Sequence, residues 1–254
     1  MSEAKVTPAG ATDLVLLSDE DASVGVLERA ILGLWESIGE LTRLRRTHRE
    51  HYRVTIFGSA RIRPANFAYD QVKHLAARLA AMKCEIVTGG GPGLMQAANE
   101  GAASVPGGAE RSVGIRVELP FEQQVNPFVG QVYEHRTFFS RLHHFMIVSD
   151  AFVVVPGGIG TLLELAMVWQ LLQVRKLHGT PLILIGGMWP GLVEWTRQAM
   201  LSERGALANP EDIEIPTCVG TADEALAILD RARAQWLASR RTARVAPALV
   251  GRSG

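Results

Sequence analysis

The chain has 254 residues, 47% of them hydrophobic, with 26 basic and 26 acidic side chains. That length gives one large or two small domains with an ample core, and the even charge balance excludes a long-range field drawing the chain to nucleic acid or a membrane surface. Cys84 and Cys218 lie far apart without metal-ligand spacing, and no apolar run reaches the ~18–20 residues that span a bilayer, so the chain reads as soluble and cytoplasmic.

Residues 1–21 are small, polar and acidic, the composition of a disordered start. From residue 22 to about 50, Val24, Leu27, Ile31, Leu34, Trp35, Ile38 and Leu41 recur at helical spacing and predict an additional N-terminal amphipathic helix. The basic run Arg43–His51 reads as a solvated face.

The body, residues 51–238, alternates strand and helix. Val54–Phe57 predicts a strand ending in Gly58-Ser59-Ala60, followed by a helix over Phe67–Met82. Glu85–Thr88 predicts a second strand, ending in the glycine cluster Gly89–Gly93, and Leu94–Ser104 a short helix. Ser112–Leu119 and Val132–Phe138 are the next strands, separated by an irregular loop holding Glu122, Gln123 and Asn126. A helix is expected over Ser140–Val148, a buried strand over Ala151–Val155 and a helix over Thr161–Val174. Leu182–Ile185 and Ile213–Val219 are read as the last strands, Ala222–Leu237 as the last helix and residues 239–254 as a flexible tail. This alternation predicts an α/β fold, a doubly wound parallel sheet in three αβα layers.

A parallel sheet places every strand-to-helix loop on one edge, so the loops at Gly58-Ser59, Gly89–Gly93, Arg141 and Gly157–Thr161 are expected to converge there. The stretch AFVVVPGGIGTLLE, residues 151–164, anchors this edge. Strand, glycine turn and helix start present unpaired amides and the positive end of a helix dipole to a phosphate. Thr161-x-x-Glu164 is also the pattern of a capping box. A dinucleotide site is not indicated, because FGSAR lacks the glycine fingerprint and the second strand ends in glycines instead of an acid. No triphosphate-binding P-loop pattern occurs either.

GGGPGLMQAAN at 89–99 and PGGIGTLLE at 156–164 resemble the motif pair of the Lonely guy family, the cytokinin-activating phosphoribohydrolases often labelled lysine decarboxylases. The resemblance spans about residues 53–203. It implies a Rossmann-like fold, a homodimer or higher homo-oligomer, and cleavage of the N-glycosidic bond of nucleoside 5′-monophosphates to free base and ribose 5-phosphate. It places the catalytic glutamate at Glu164 and, nine residues before Asp150 of the SDAF segment, the catalytic arginine at Arg141. Leu142 stands where the family pattern has a lysine, and the family's histidine before the arginine is absent.

On this reading Gly58, Ser59, Gly90, Gly91, Gly157, Gly158, Ile159, Gly160 and Thr161 hold the phosphate and ribose. Met95 and Glu122 are candidate base or ribose contacts. Glu164 stabilises an oxocarbenium-like state or activates water, and Arg141 stabilises the departing base. The scheme calls for no metal and no cofactor. Two other readings accompany it. One is a non-catalytic nucleotide or molybdenum-cofactor carrier of similar fold. The other is a pyridoxal-phosphate decarboxylase, for which Lys83 and Lys176 are poorly placed.

Overall fold

The computed structural model describes residues 24, 50–117, 125–202 and 207–245. The chain divides into two units, Met1–Arg49 and Glu50–Gly254. Of the first unit only Val24, a helical residue, is described, so the expected N-terminal helix lies outside the described residues. So does Glu122.

Seven strands form one parallel sheet: β1 (Arg53–Phe57), β2 (Glu85–Thr88), β3 (Ser112–Val117), β4 (Gln131–His135), β5 (Ala151–Val154), β6 (Leu182–Ile185) and β7 (Pro216–Val219). Their order is β4-β3-β2-β1-β5-β6-β7. The connecting helices are α1 (Phe67–Ala81), α2 (Leu94–Ala103), α3 (Phe138–Val148), α4 (Ile159–Gln173), α5 (Trp189–Met200), α6 (Pro210–Ile213) and α7 (Ala222–Val245).

The central strands are apolar at nearly every position because both faces are covered. Val54 and Ile56 of β1, with Val153 of β5, point into a core shared with α1, α2 and α7. Phe57, Phe152 and Val154 point the other way, into a core shared with α3, α4 and α5. The pairing Val54↔Ala151 through Phe57↔Val154 locks β1 to β5 at the centre of the sheet. The α/β, three-layer, doubly wound reading is thereby met. Among the described residues no helix is long and apolar enough to cross a membrane.

Four boundaries differ from those expected. Strand β4 ends at His135, because the Thr137 side chain accepts the Ser140 N–H at 3.1 Å and starts α3 early. Helix α4 starts at Ile159, with Gly158 as its N-cap, so Thr161 is an interior residue of the first turn. Asn209 and Asp212 form a capping box that makes 210–213 a helical turn and delays β7 to Pro216. The last helix runs to Val245 instead of Leu237. Its Trp236 packs edge-on against Tyr52 at 5.6 Å, Arg240 lies over the Trp236 ring at 4.5 Å, and no helix breaker precedes Pro247.

Candidate active site

After β1 the chain winds to one side of the sheet, and from β5 to the other, so the crevice beyond β1 and β5 is the topological switch point. The two loops there are stitched together. The Ser59 N–H donates to Pro156 O at 3.0 Å, and the Leu94 N–H donates to Ser59 O at 2.8 Å. These bonds bring the N-termini of α2 and α4 to the same edge. Helices α1, α3 and α7 are capped by the side chains of Asn66, Thr137 and Thr221. Helices α2 and α4 begin at Gly93 and Gly158 with no side-chain cap. The first-turn amides of α4, from Ile159, Gly160 and Thr161, have no partner within the helix. A Cβ placed on Gly158 or Gly160 meets nothing within 4 Å, so there is open space beside this helix start. Thr161 is buried, with its side chain packed against Gly157.

The expected capping box at Thr161 and Glu164 is not formed, since Gly158 holds the cap position and the carboxylate has another partner. Glu164 is 8% exposed, and its Oε1 lies 3.5 Å from Arg141 Nη2. Burial pushes the Glu164 carboxyl from the usual 4.5 up to about 7, against the pull of the Arg141 guanidinium in the other direction. Arg141 is itself firmly oriented. Its Nε donates to Ile115 O of β3 at 2.9 Å, and its guanidinium lies 5.2 Å from the centre of the Phe145 ring. Leu142, the next residue on α3, is buried, so the leucine that replaces the family lysine serves packing.

The second glycine cluster supplies the floor. A Cβ on Gly89 would sit 2.5 Å from Arg141 Nη2 and 2.7 Å from Met95 Sδ, and one on Gly91 would sit 2.8 Å from Met95 Cε. The guanidinium thus rests against Gly89, with Met95 beside it. Gly90, at φ +74°, donates its N–H to Thr88 Oγ1 at 2.9 Å. Gly90 is expected to help hold the phosphate, yet its amide is committed to Thr88. Gly58 and Ser59 take a building role: a Cβ on Gly58 would meet Val155 Cγ2 at 2.5 Å, and both backbone polar groups of Ser59 are used in the stitching. Asn126, from the irregular loop between β3 and β4, is buried against the glycine loop.

Beside Arg141, His135 Nε2 and His144 Nδ1 are 2.9 Å apart, and the Tyr133 ring meets His144 edge-on. Burial, and then the nearby Arg141 charge, lowers the His135 pKa. Sequence reasoning placed Gly89 and Asn99 in a motif without giving either a role of its own, and it passed over Phe145. Asn99 had a readable signal: it is a lone amide on the helix face shared with Leu94, Ala98 and Ala102.

A family model described as "Possible lysine decarboxylase" matches residues 95–229, more than half of the chain. The chain belongs to that family, the Lonely guy family. A curated member from Oryza sativa subsp. japonica, "Probable cytokinin riboside 5'-monophosphate phosphoribohydrolase LOGL9", is 33% identical over 135 residues, covering 52% of this chain. The match spans 58% of that relative's length. Among solved structures, the molybdenum cofactor carrier protein of Chlamydomonas reinhardtii is similar over 73% of this chain and 99% of its own, at 18% identity and a TM-score of 0.53. The molybdenum cofactor binding protein of Rippkaea orientalis matches 73% of this chain and 98% of its own, at 15% identity and the same TM-score. At these identities the likeness concerns the fold alone. The lysine decarboxylase label finds no support in the lysines described. Lys73 pairs with Glu100, Lys83 precedes β2 and Lys176 follows α4, all away from the carboxyl edge of the sheet.

Proposed function

We propose that this Lonely guy family member hydrolyses the N-glycosidic bond of nucleoside 5′-monophosphates, giving free base and ribose 5-phosphate. The observation that carries the reading is the buried Arg141–Glu164 pair at the switch point, on the same sheet edge as the uncapped start of α4. The phosphate sits on the amides of Ile159, Gly160 and Thr161, where the helix dipole and unpaired donors favour a dianion. Held there, it is a remote handle whose binding energy positions the bond to be broken.

Departure of the base leaves positive charge on the ribose, as in glycoside cleavage. Ionised Glu164 stabilises that charge and takes a proton from the attacking water, a task suited to a carboxyl raised to about 7. Arg141 faces the negative charge that develops on the base. A guanidinium is a poor proton donor at neutral pH, so Arg141 acts by charge and hydrogen bonding. Met95 packs beside this pair and offers an adaptable apolar surface to the base. The family resemblance adds a homodimer or higher homo-oligomer as the working form.

The test is a panel of AMP, GMP, CMP and isopentenyladenosine monophosphate, with free base followed by chromatography. Base release from at least one nucleotide is expected, and the preferred base emerges from the same experiment. No release from any of them contradicts the reading. Ligand retained through purification without base release points to the carrier alternative.

A further inference from the structure

Asn126 is buried, and its side chain is spent on the backbone of the glycine loop. The two hydrogens on its Nδ2 are shared among Gly90 O at 3.1 Å, Gly91 O at 3.0 Å and Asn99 Oδ1 at 3.0 Å. Its own N–H donates to Gly90 O at 2.9 Å, and its Oδ1 accepts the Phe128 N–H at 3.2 Å. Three acceptors around one nitrogen, with an N–H at the oxygen, fix which way the amide points. A second layer holds the first. Asn99, wholly buried on α2, accepts from Thr88 Oγ1 at 2.7 Å and donates to Ser112 Oγ at 2.9 Å. Thr88 Oγ1 in turn accepts the Gly90 N–H.

This network does more than end a loop. A planar trans peptide whose carbonyl is held on one side must turn its N–H to the other. Holding Gly90 O therefore sets the direction of the Gly91 N–H. The clamped residues also continue directly from Gly89, the surface against which Arg141 Nη2 lies. If the loop shifts, the guanidinium loses its seat, and the 3.5 Å spacing to Glu164 shifts with it.

We propose that Asn126 is a positioning residue: its carboxamide clamps Gly90 and Gly91 so that Gly89 seats Arg141 against Glu164. As a statement about turnover the inference rests on the hydrolase reading. As a statement about Arg141 it stands apart from that reading. The phosphate cradle on α4 makes none of these contacts, so the clamp acts on the chemical step and not on phosphate capture.

Two variants test it. Asn126→Ala removes the donor, and kcat falls about 100-fold, the scale expected for a small misplacement of catalytic groups, while KM and the affinity for inorganic phosphate stay near the wild-type values. Asn126→Asp keeps the shape but sets a carboxylate against three acceptors, and protonation restores a donor. The ratio of N126D to wild-type kcat therefore rises as pH falls, which a purely spatial role does not produce. Labelling of Arg141 by phenylglyoxal, read by mass spectrometry against Arg197 as an internal control, reports the seat without any turnover. Arg141 labels faster in folded N126A than in wild type, and Arg197 does not change. Unchanged Arg141 labelling, wild-type kcat in folded N126A, or a kcat ratio for N126D that is flat with pH each overturns the proposal. A labelling difference in a protein whose wild type releases no base keeps the positioning role and overturns the hydrolase reading instead.

Discussion

In the proposed reaction Glu164 concentrates the chemistry in one side chain. Its carboxyl is pushed to about 7 by burial, so kcat/KM rises with pH and levels off above that value if the ionised form is the active one. A pH–rate profile that is flat between 5 and 8 contradicts this. The same shift has a sign for stability. A carboxyl with a folded-state pKa above its unfolded value favours folding below about 4.5, and that contribution is lost as pH rises through about 7. Glu164→Gln removes the penalty, so its melting temperature relative to wild type rises across that interval while base release falls by about 100- to 10,000-fold. Gly89→Ala separates fold from function in the opposite manner. The new methyl first meets the Arg141 guanidinium and the Met95 sulfur, not backbone. Thermal stability changes little, and turnover drops because Arg141 is displaced. A Gly89→Ala enzyme with full activity would mean that the guanidinium does not need this seat.

Among the elements, α4 is the one whose uncapped first turn the proposed function assigns to the phosphate. Ala at position 160 is compatible with the helix and its Cβ meets nothing, so Gly160→Ala stabilises the fold by roughly 0.5–1 kcal/mol. The same methyl adds bulk next to the amides proposed to hold the phosphate, and KM for the nucleotide rises. Calorimetric melting and steady-state kinetics on one preparation check both effects, and an unchanged KM counts against phosphate binding there. At the start of α4 one local pattern allowed two readings. Thr161-x-x-Glu164 has the form of a capping box, but Gly158 takes the cap in an extended conformation and the carboxylate turns to Arg141. A helix-end pattern and a site carboxylate one turn into a helix have the same spacing, and only tertiary partners separate them. The Asn126 clamp was illegible for a related reason. Its partners are the backbone carbonyls of residues some 35 positions away, and carbonyls carry no sequence signature.

At the scale of the molecule, strand–helix alternation was enough to predict the parallel sheet, because apolar runs such as Phe152–Val155 are stable only when covered on both faces. It was also enough to bring the glycine loops to one edge. It did not reveal the strand order, which depends on which way the chain winds after β1 and β5, and that order is what sets the crevice between them. In the proposed reaction the phosphate is the anchor and the Arg141–Glu164 pair the reacting centre. Nucleosides lacking the 5′-phosphate are therefore expected to be cleaved with much lower kcat/KM than the matching monophosphates, as competing-substrate assays will measure. Equal rates on both would remove the anchor from the account. The most direct test of the whole is to give one nucleoside monophosphate to wild-type protein and to E164Q side by side, following binding by calorimetry and products by chromatography. The account predicts equal amounts of free base and ribose 5-phosphate from wild type, and binding without cleavage by E164Q. Cleavage by E164Q at the wild-type rate, or a wild type that binds the nucleotide and leaves it intact, contradicts it.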